Sequence, residues 1–173
     1  MERCRWVTSD QIYIDYHDTE WGKPVTGEDA LFERISLEGF QAGLSWLTIL
    51  KRRQGFRKAF KGFSIAEVAR FSESDIETML LDEGIIRHRG KIEAVINNAR
   101  VLVEKELSLE DLIRKHTPTH DRTCLTVSPE SEALSKELRK LGFKFVGPTT
   151  MHAMMQAIGM INDHDLKCSF RKI

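Results

Sequence analysis

Neither sign of charge predominates in this chain: 26 Lys and Arg balance 26 Asp and Glu over 173 residues. A neutral total removes any global field that would by itself announce nucleic acid or a membrane surface, though it leaves room for a local basic stripe. Cysteine is scarce and odd in number, three in all, which argues against a disulfide framework and for a reducing compartment. No apolar run approaches the roughly 20 residues that a membrane span needs. Met1-Glu2-Arg3-Cys4-Arg5 is charged and no apolar stretch follows, so the pattern of a secretory leader is missing. Repeats and low-complexity segments are also missing. These absences predict a soluble cytoplasmic protein with no membrane partner and monomer as its default state. The length suits one domain with a real core, or two small subdomains sharing a cleft.

The periodicity that is present is helical. Leu31, Phe32, Ile35 and Phe40 follow Thr26-Gly27-Glu28-Asp29 at helical spacing. Ser64-Ile65-Ala66-Glu67 reads as a capping box, with Ser72-Glu73-Ser74-Asp75 a weaker relative. Ile92, Val95, Ile96, Ala99, Leu102 and Val103 draw the stripe of a long amphipathic helix after Gly90. Ser128-Pro129 opens a helix that runs through Leu134, Leu138 and Leu141 to Gly142, and Thr149 to Ile158 makes another. Only Thr123 to Val127 looks strand-like, and it is too short to build a sheet; Lys105 to Pro129 reads as a variable connection. The fold class predicted is all-α, from roughly eight or more short helices.

Two Cys/His pairs lie at opposite ends. Cys4 and His17 come early; His164 and Cys168 come late, four residues apart and hence neighbours on one face of a helical turn or at the mouth of a turn leaving a helix. Two thiolates and two imidazoles make a closed tetrahedral set for structural zinc with no open position for substrate. The competing reading takes the cysteines as small core residues and the histidines as surface groups.

Trp6, Tyr13, Tyr16, Trp21 and Trp46 include every tryptophan and tyrosine of the chain, all within its first 46 residues. Rings crowded this way suit a pocket that stacks on a flat, positively charged heterocycle. Glu38, in Leu37-Glu38-Gly39-Phe40-Gln41-Ala42-Gly43-Leu44-Ser45-Trp46, would accept hydrogen bonds from its edge. Against this stands ordinary use of the aromatics as core filler and of Glu38 as a solvated helix-face carboxylate. Gly142 to Thr149 forms a second candidate. Two glycines at a turn between helices permit close backbone approach, and the N–H groups opening the next helix attract an anion. Gly142, Lys144, Gly147 and Thr149 are then candidates for gripping a DNA phosphate without reading sequence; a plain helix–helix connection is the simpler reading.

These segments together resemble the 3-methyladenine DNA glycosylase I family over nearly the whole chain. The resemblance is carried by MERC with Trp6, YIDYHDTEWG from Tyr13, LEGFQAGLSW from Leu37, GIIRHRGKI from Gly84, GFKFVGPT from Gly142, and NDH with Cys168. It implies a helix-hairpin-helix glycosylase fold over residues 1–173, a single domain of two helical subdomains flanking a base-binding cleft. It implies one structural zinc on Cys4, His17, His164 and Cys168, joining the terminal segments, and a base site of Glu38, Tyr16 and Trp46 walled by Trp6, Tyr13 and Trp21. The implied reaction is hydrolysis of the N-glycosidic bond of 3-methyladenine in double-stranded alkylated DNA, releasing the free base. Asp163 falls about where the superfamily places a catalytic aspartate, although it adjoins a zinc ligand and would equally serve as a support or cap. Thr149 and Thr150 occupy the region where bifunctional relatives carry a lysine, which implies a monofunctional enzyme. Lys105 to Pro129 is shorter than the family pattern, without touching a motif. The alternative is a non-catalytic, zinc-stabilised helix-hairpin-helix DNA-binding module, which leaves the aromatic crowd around Glu38 without a purpose.

Overall fold

The computed structural model describes residues 1–120 and 124–171, which are all-helical and contain no strand. In chain order the helices are α1 (Gln11–Thr19), α2 (Glu28–Gln41), α3 (Trp46–Ala59), a 3₁₀ turn (Lys61–Phe63), α4 (Ile65–Val68), α5 (Glu73–Leu81), α6 (Arg89–Glu104), α7 (Leu109–Arg114), α8 (Pro129–Leu141) and α9 (Pro148–Ala157).

Helix α2 is the hub. It packs on α3, α4, α6, α7 and α9, and every residue from Leu31 to Phe40 is buried, the polar Glu33, Arg34, Ser36 and Glu38 included. A helix covered all round must place its polar groups against partners, so this one brings charge into the interior. The apolar side is led by Phe40, Phe56, Phe60 and Phe63, whose consecutive ring centroids lie 4.5 to 6.5 Å apart. Each such ring contributes roughly 1.5–3 kcal/mol by burial.

The long helix after Gly90 forms with its predicted stripe inward from Ile92 to Leu102, while Val103 is left exposed. Ser128 caps α8 through the Ser131 N–H, Pro129 takes the first turn, and Gly142 ends the helix in the left-handed region at φ 107°. Helix α9 follows after a short turn and packs closely on α8.

Two sequence expectations need correction. The capping box forms at Ser72 and Asp75 and not at Ser64; Asp29 from α2 accepts the Ile65 N–H at 2.9 Å and so supplies the acceptor that Ser64 does not. The stretch from Lys105 to Pro129 is not all connection, because α7 lies within it. Leu109 and Ile113 enter the core, and Glu28 caps α7 by accepting from the Leu109 N–H and the Ser108 hydroxyl, both at 2.7 Å. The strand-like segment shows no strand from residue 124 to 127; Thr123 lies outside the described residues.

Candidate functional site

The chain's two ends meet. Cys4, His17, His164 and Cys168 are all buried, and their ligand atoms lie within 4.8 Å of one another. His164 Nδ1 stands 3.4 Å from each of the two sulfurs, and His17 Nε2 stands 3.5 Å from Cys168 Sγ. Tetrahedral zinc with bonds of about 2.3 Å to sulfur and 2.0–2.1 Å to nitrogen sets S···N separations near 3.6 Å. The donor set and its spacing fit a metal of that kind.

The surroundings support the same reading. His17 Nδ1 lies 2.8 Å from Asp18 Oδ1, so the ring donates there and turns the lone pair of Nε2 to the cluster. Arg3 grips that carboxylate with contacts of 2.7 to 3.0 Å, holding Asp18 down to about 2, well below the usual carboxylate range. The Asp165 N–H donates to Cys4 Sγ at 3.3 Å. Burial pushes the Cys4 thiol up to about 12 and His164 down to about 4, the latter aided by His17. An isolated thiolate is thus unfavourable here, and a dication is the charge that reverses this. Gly22, at φ +74°, leaves room for the cluster: a Cβ there would come within 2.9 Å of His164 Nε2.

Aromatic rings lead from the cluster to a cavity. Trp21 stands 4.7 Å edge-on to His164 and stacks on His17 at 6.2 Å. Trp6 touches His17, Trp21 and Tyr13 at 5.0 to 5.2 Å. Beyond them is a cavity of about 170 Å³ lined by Trp6, Tyr13, Tyr16, Trp21, Glu38, Gln41, Trp46, Ala153 and Gln156. All six residues expected to form a base site therefore converge. Helix α1 delivers Tyr13 and Tyr16, α2 delivers Glu38 and Gln41, and Trp46 opens α3 behind its Ser45 cap. The Trp46 Nε1–H is buried and has no hydrogen-bond partner among the described residues.

Glu38 is the electrostatic centre of this cavity. It is 5% exposed and makes no ion pair among the described residues. Burial pushes its carboxyl up to about 8, opposed by the charge of Arg34. Arg34 is itself held by Glu20 at 3.0 Å, and Glu20 by Arg53. Tyr16 is pushed well above its ordinary range by burial and by Glu38. An acid in this setting is poorly solvated until a cation arrives.

Asp163 lines a neighbouring cavity of about 640 Å³ that shares Trp6, Trp21 and Gln156 with the first. Its two oxygens accept from the Cys124 N–H at 2.7 Å and from Gln156 Nε2 at 2.6 Å. Gln41, Ala153 and Gln156 were not anticipated. Gln41 lies inside the LEGFQAGLSW segment, and Ala153 and Gln156 are three apart on one face of α9, a pattern that periodicity alone reads as ordinary surface.

The turn from Gly142 to Gly147 is braced by α6. Asn97 Nδ2 donates to the Gly142 carbonyl at 2.8 Å, and Asn98 brackets Lys144 by accepting its N–H at 2.8 Å and donating to its carbonyl at 3.0 Å. The Lys144 N–H is therefore committed to Asn98, while its side chain is exposed. Gly147 opens α9 without a side-chain cap, leaving Thr149 in a first turn open to an external acceptor.

Comparison with known proteins places this arrangement. Residues 6–172 match the family model described as methyladenine glycosylase. DNA-3-methyladenine glycosylase 1 of Escherichia coli (strain K12) is 48% identical over 179 residues, covering 97% of this chain and 96% of that protein. A crystal structure of 3-methyladenine DNA glycosylase I superposes with a TM-score of 0.94 at 43% identity, over 99% of this chain and 100% of that one. The Staphylococcus aureus enzyme, solved for the structural basis of 3-methyladenine recognition, gives a TM-score of 0.92 at 33% identity, over 100% of this chain and 98% of that one. The chain belongs to the methyladenine glycosylase family.

Proposed function

We propose that this protein is a monofunctional DNA glycosylase that hydrolyses the N-glycosidic bond of 3-methyladenine in double-stranded alkylated DNA and releases the free base. The observation that carries the reading is a buried carboxylate, Glu38, set in an aromatic cavity of a methyladenine glycosylase family member. Methylation at N3 gives adenine a positive charge and weakens its glycosidic bond, because the base departs neutral. Such a substrate asks for little general-acid power. It asks for a pocket that favours the cation and for an environment that tolerates a developing sugar cation while water attacks. Rings of Tyr16 and Trp46 stack on the base, Trp6, Tyr13 and Trp21 close the wall, and Glu38 accepts from its edge. The nucleotide must leave the duplex to reach them.

The α8–turn–α9 pair acts as a helix-hairpin-helix anchor, with Gly142, Lys144, Gly147 and Thr149 at the phosphate. Lys144 acts there through its side-chain charge, its N–H being taken by Asn98. Cys4, His17, His164 and Cys168 hold one structural zinc, which supplies no open coordination position and fixes the aromatic wall. A DNA-binding module without catalysis would use the anchor and the metal but has no use for Glu38. The test is incubation of the protein with methylated duplex DNA. Free 3-methyladenine and an intact abasic strand are expected, with no protein–DNA adduct trapped by borohydride, since Thr149 and Thr150 offer no amine. Absence of released base overturns the reading.

A further inference from the structure

Gln156 and Asp163 form a pair that the functional reading leaves unused. Gln156 projects from α9 into both cavities, and its Nε2 donates to Asp163 Oδ2 at 2.6 Å. Asp163 Oδ1 meanwhile accepts from the Cys124 N–H at 2.7 Å. Carboxylate oxygens accept, so the amide nitrogen of Gln156 must face Asp163 and the amide oxygen must face away. Gln156 also lines the cavity that holds Glu38 and the aromatic rings.

We infer that Asp163 is a positioning residue that fixes the Gln156 amide so that its Oε1 faces the base cavity, as a second acceptor beside Glu38. This rests on the proposed excision of 3-methyladenine. The chemistry of that base matches two acceptors. Its exocyclic amine carries two N–H donors, and N3 and N9 are occupied by methyl and sugar. One hydrogen goes to Glu38 and the other to Gln156. A 3-methylguanine presents a carbonyl oxygen in place of the amine, and two acceptors facing it leave all three groups unsatisfied. The pair thus selects adenine over guanine among N3-methylated purines.

The substitution Asp163→Asn tests this with a specific signature. An asparagine has one acceptor where the carboxylate had two, and the Cys124 N–H claims it. The asparagine amine then faces Gln156, whose amide turns over and presents its NH₂ to the base. Release of 3-methyladenine should fall about 10-fold in kcat/KM, and the ratio of 3-methyladenine to 3-methylguanine released should move about 10-fold toward guanine. Gln156→Leu, which removes the amide and leaves the loop carboxylate in place, should lower 3-methyladenine release to a similar degree. In that background Asp163→Asn should change the rate by less than about 2-fold, since its effect runs through Gln156. A full additional loss from Asp163→Asn in the Gln156→Leu enzyme assigns Asp163 a direct part in bond cleavage and overturns the proposal. An unchanged base ratio in Asp163→Asn, with the parent releasing 3-methyladenine normally, overturns it alone. A parent that releases no base overturns the functional reading as well.

Discussion

The ammonium group of Lys91 stands 2.6 Å from the carbonyl oxygen of Ala42 and 2.9 Å from that of Phe40. Lys91 opens the buried face of α6, while Phe40 and Ala42 bracket the end of α2, two and four residues beyond Glu38. Carbonyls at a helix end lack partners in their own helix, and here a buried lysine from another helix satisfies them. Burial lowers the lysine's own affinity for its proton, while its ammonium donates to both carbonyls.

Replacing Lys91 with methionine keeps the volume and removes both donations. The expected cost is about 3 kcal/mol, seen as a fall in Tm of roughly 6–12 °C for a chain of this size. Calorimetry checks it. A variant that melts with the parent would mean that other groups satisfy the carbonyls.

Metal analysis should find one zinc per chain. Chelation should lower Tm and loosen both terminal segments, because the free energy of binding is part of the free energy of folding. Cys168→Ser should reproduce the loss. Metal-free protein with a Cys168→Ser variant that melts normally would remove the cluster from any role in stability.

Glu38→Gln keeps the shape of the cavity and removes its charge. A charge-assisted hydrogen bond of this type contributes roughly 1.5–3 kcal/mol, so binding of free 3-methyladenine and its excision should weaken about 10- to 150-fold. The sign of the pH dependence follows from the carboxyl at about 8. Below that pH the empty site is mostly protonated and must lose its proton to face a cation. The kcat/KM of the parent should therefore rise about tenfold per unit up to pH 8 and then level. The bound cation favours the carboxylate, so the inflection in kcat should lie lower. Glu38→Gln should be flat across this range. A parent profile with no inflection between pH 6 and about 9 would mean that the carboxylate is not the group that meets the base.

The exposed side chain of Lys144 should weaken duplex binding when replaced by alanine, and should do so whatever the sequence. The slope of log affinity against log salt should fall by about one. Titrations at several salt concentrations decide it; unchanged affinity and slope would place Lys144 outside the interface.

The sequence made some of this visible and hid the rest for definable reasons. The stripe from Ile92 to Leu102 and the Ser128–Gly142 helix could be read because local periodicity and caps determine them. Helix α7 escaped because it is only six residues long with two fully buried anchors, Leu109 and Ile113; its Ser108 cap is local, but the Glu28 carboxylate that braces that cap comes from a distant helix. Cys4 and His17 could be paired with His164 and Cys168 as a donor set, but the distances that make them a cluster are tertiary. The aromatic crowding pointed to the cavity, whereas Gln156 did not stand out because its contact with Asp163 runs across a turn. Ser64 had the better capping pattern and Ser72 made the box, since Asp29 from another helix had taken the first role.

The clasp between the termini also sets an order of assembly. Cys4 and His164 are 160 residues apart, and Cys168 and His17 are 151 apart. Closing so long a loop costs chain entropy that local contacts do not repay, so it comes late. Trp21 packs edge-on against His164 and Trp6 against Trp21, which means that the wall of the Glu38 cavity is finished only when the last segment docks. Until that segment docks, the α2 carboxylate lacks the finished ring of side chains that lines its cavity. Competence is thereby tied to completion.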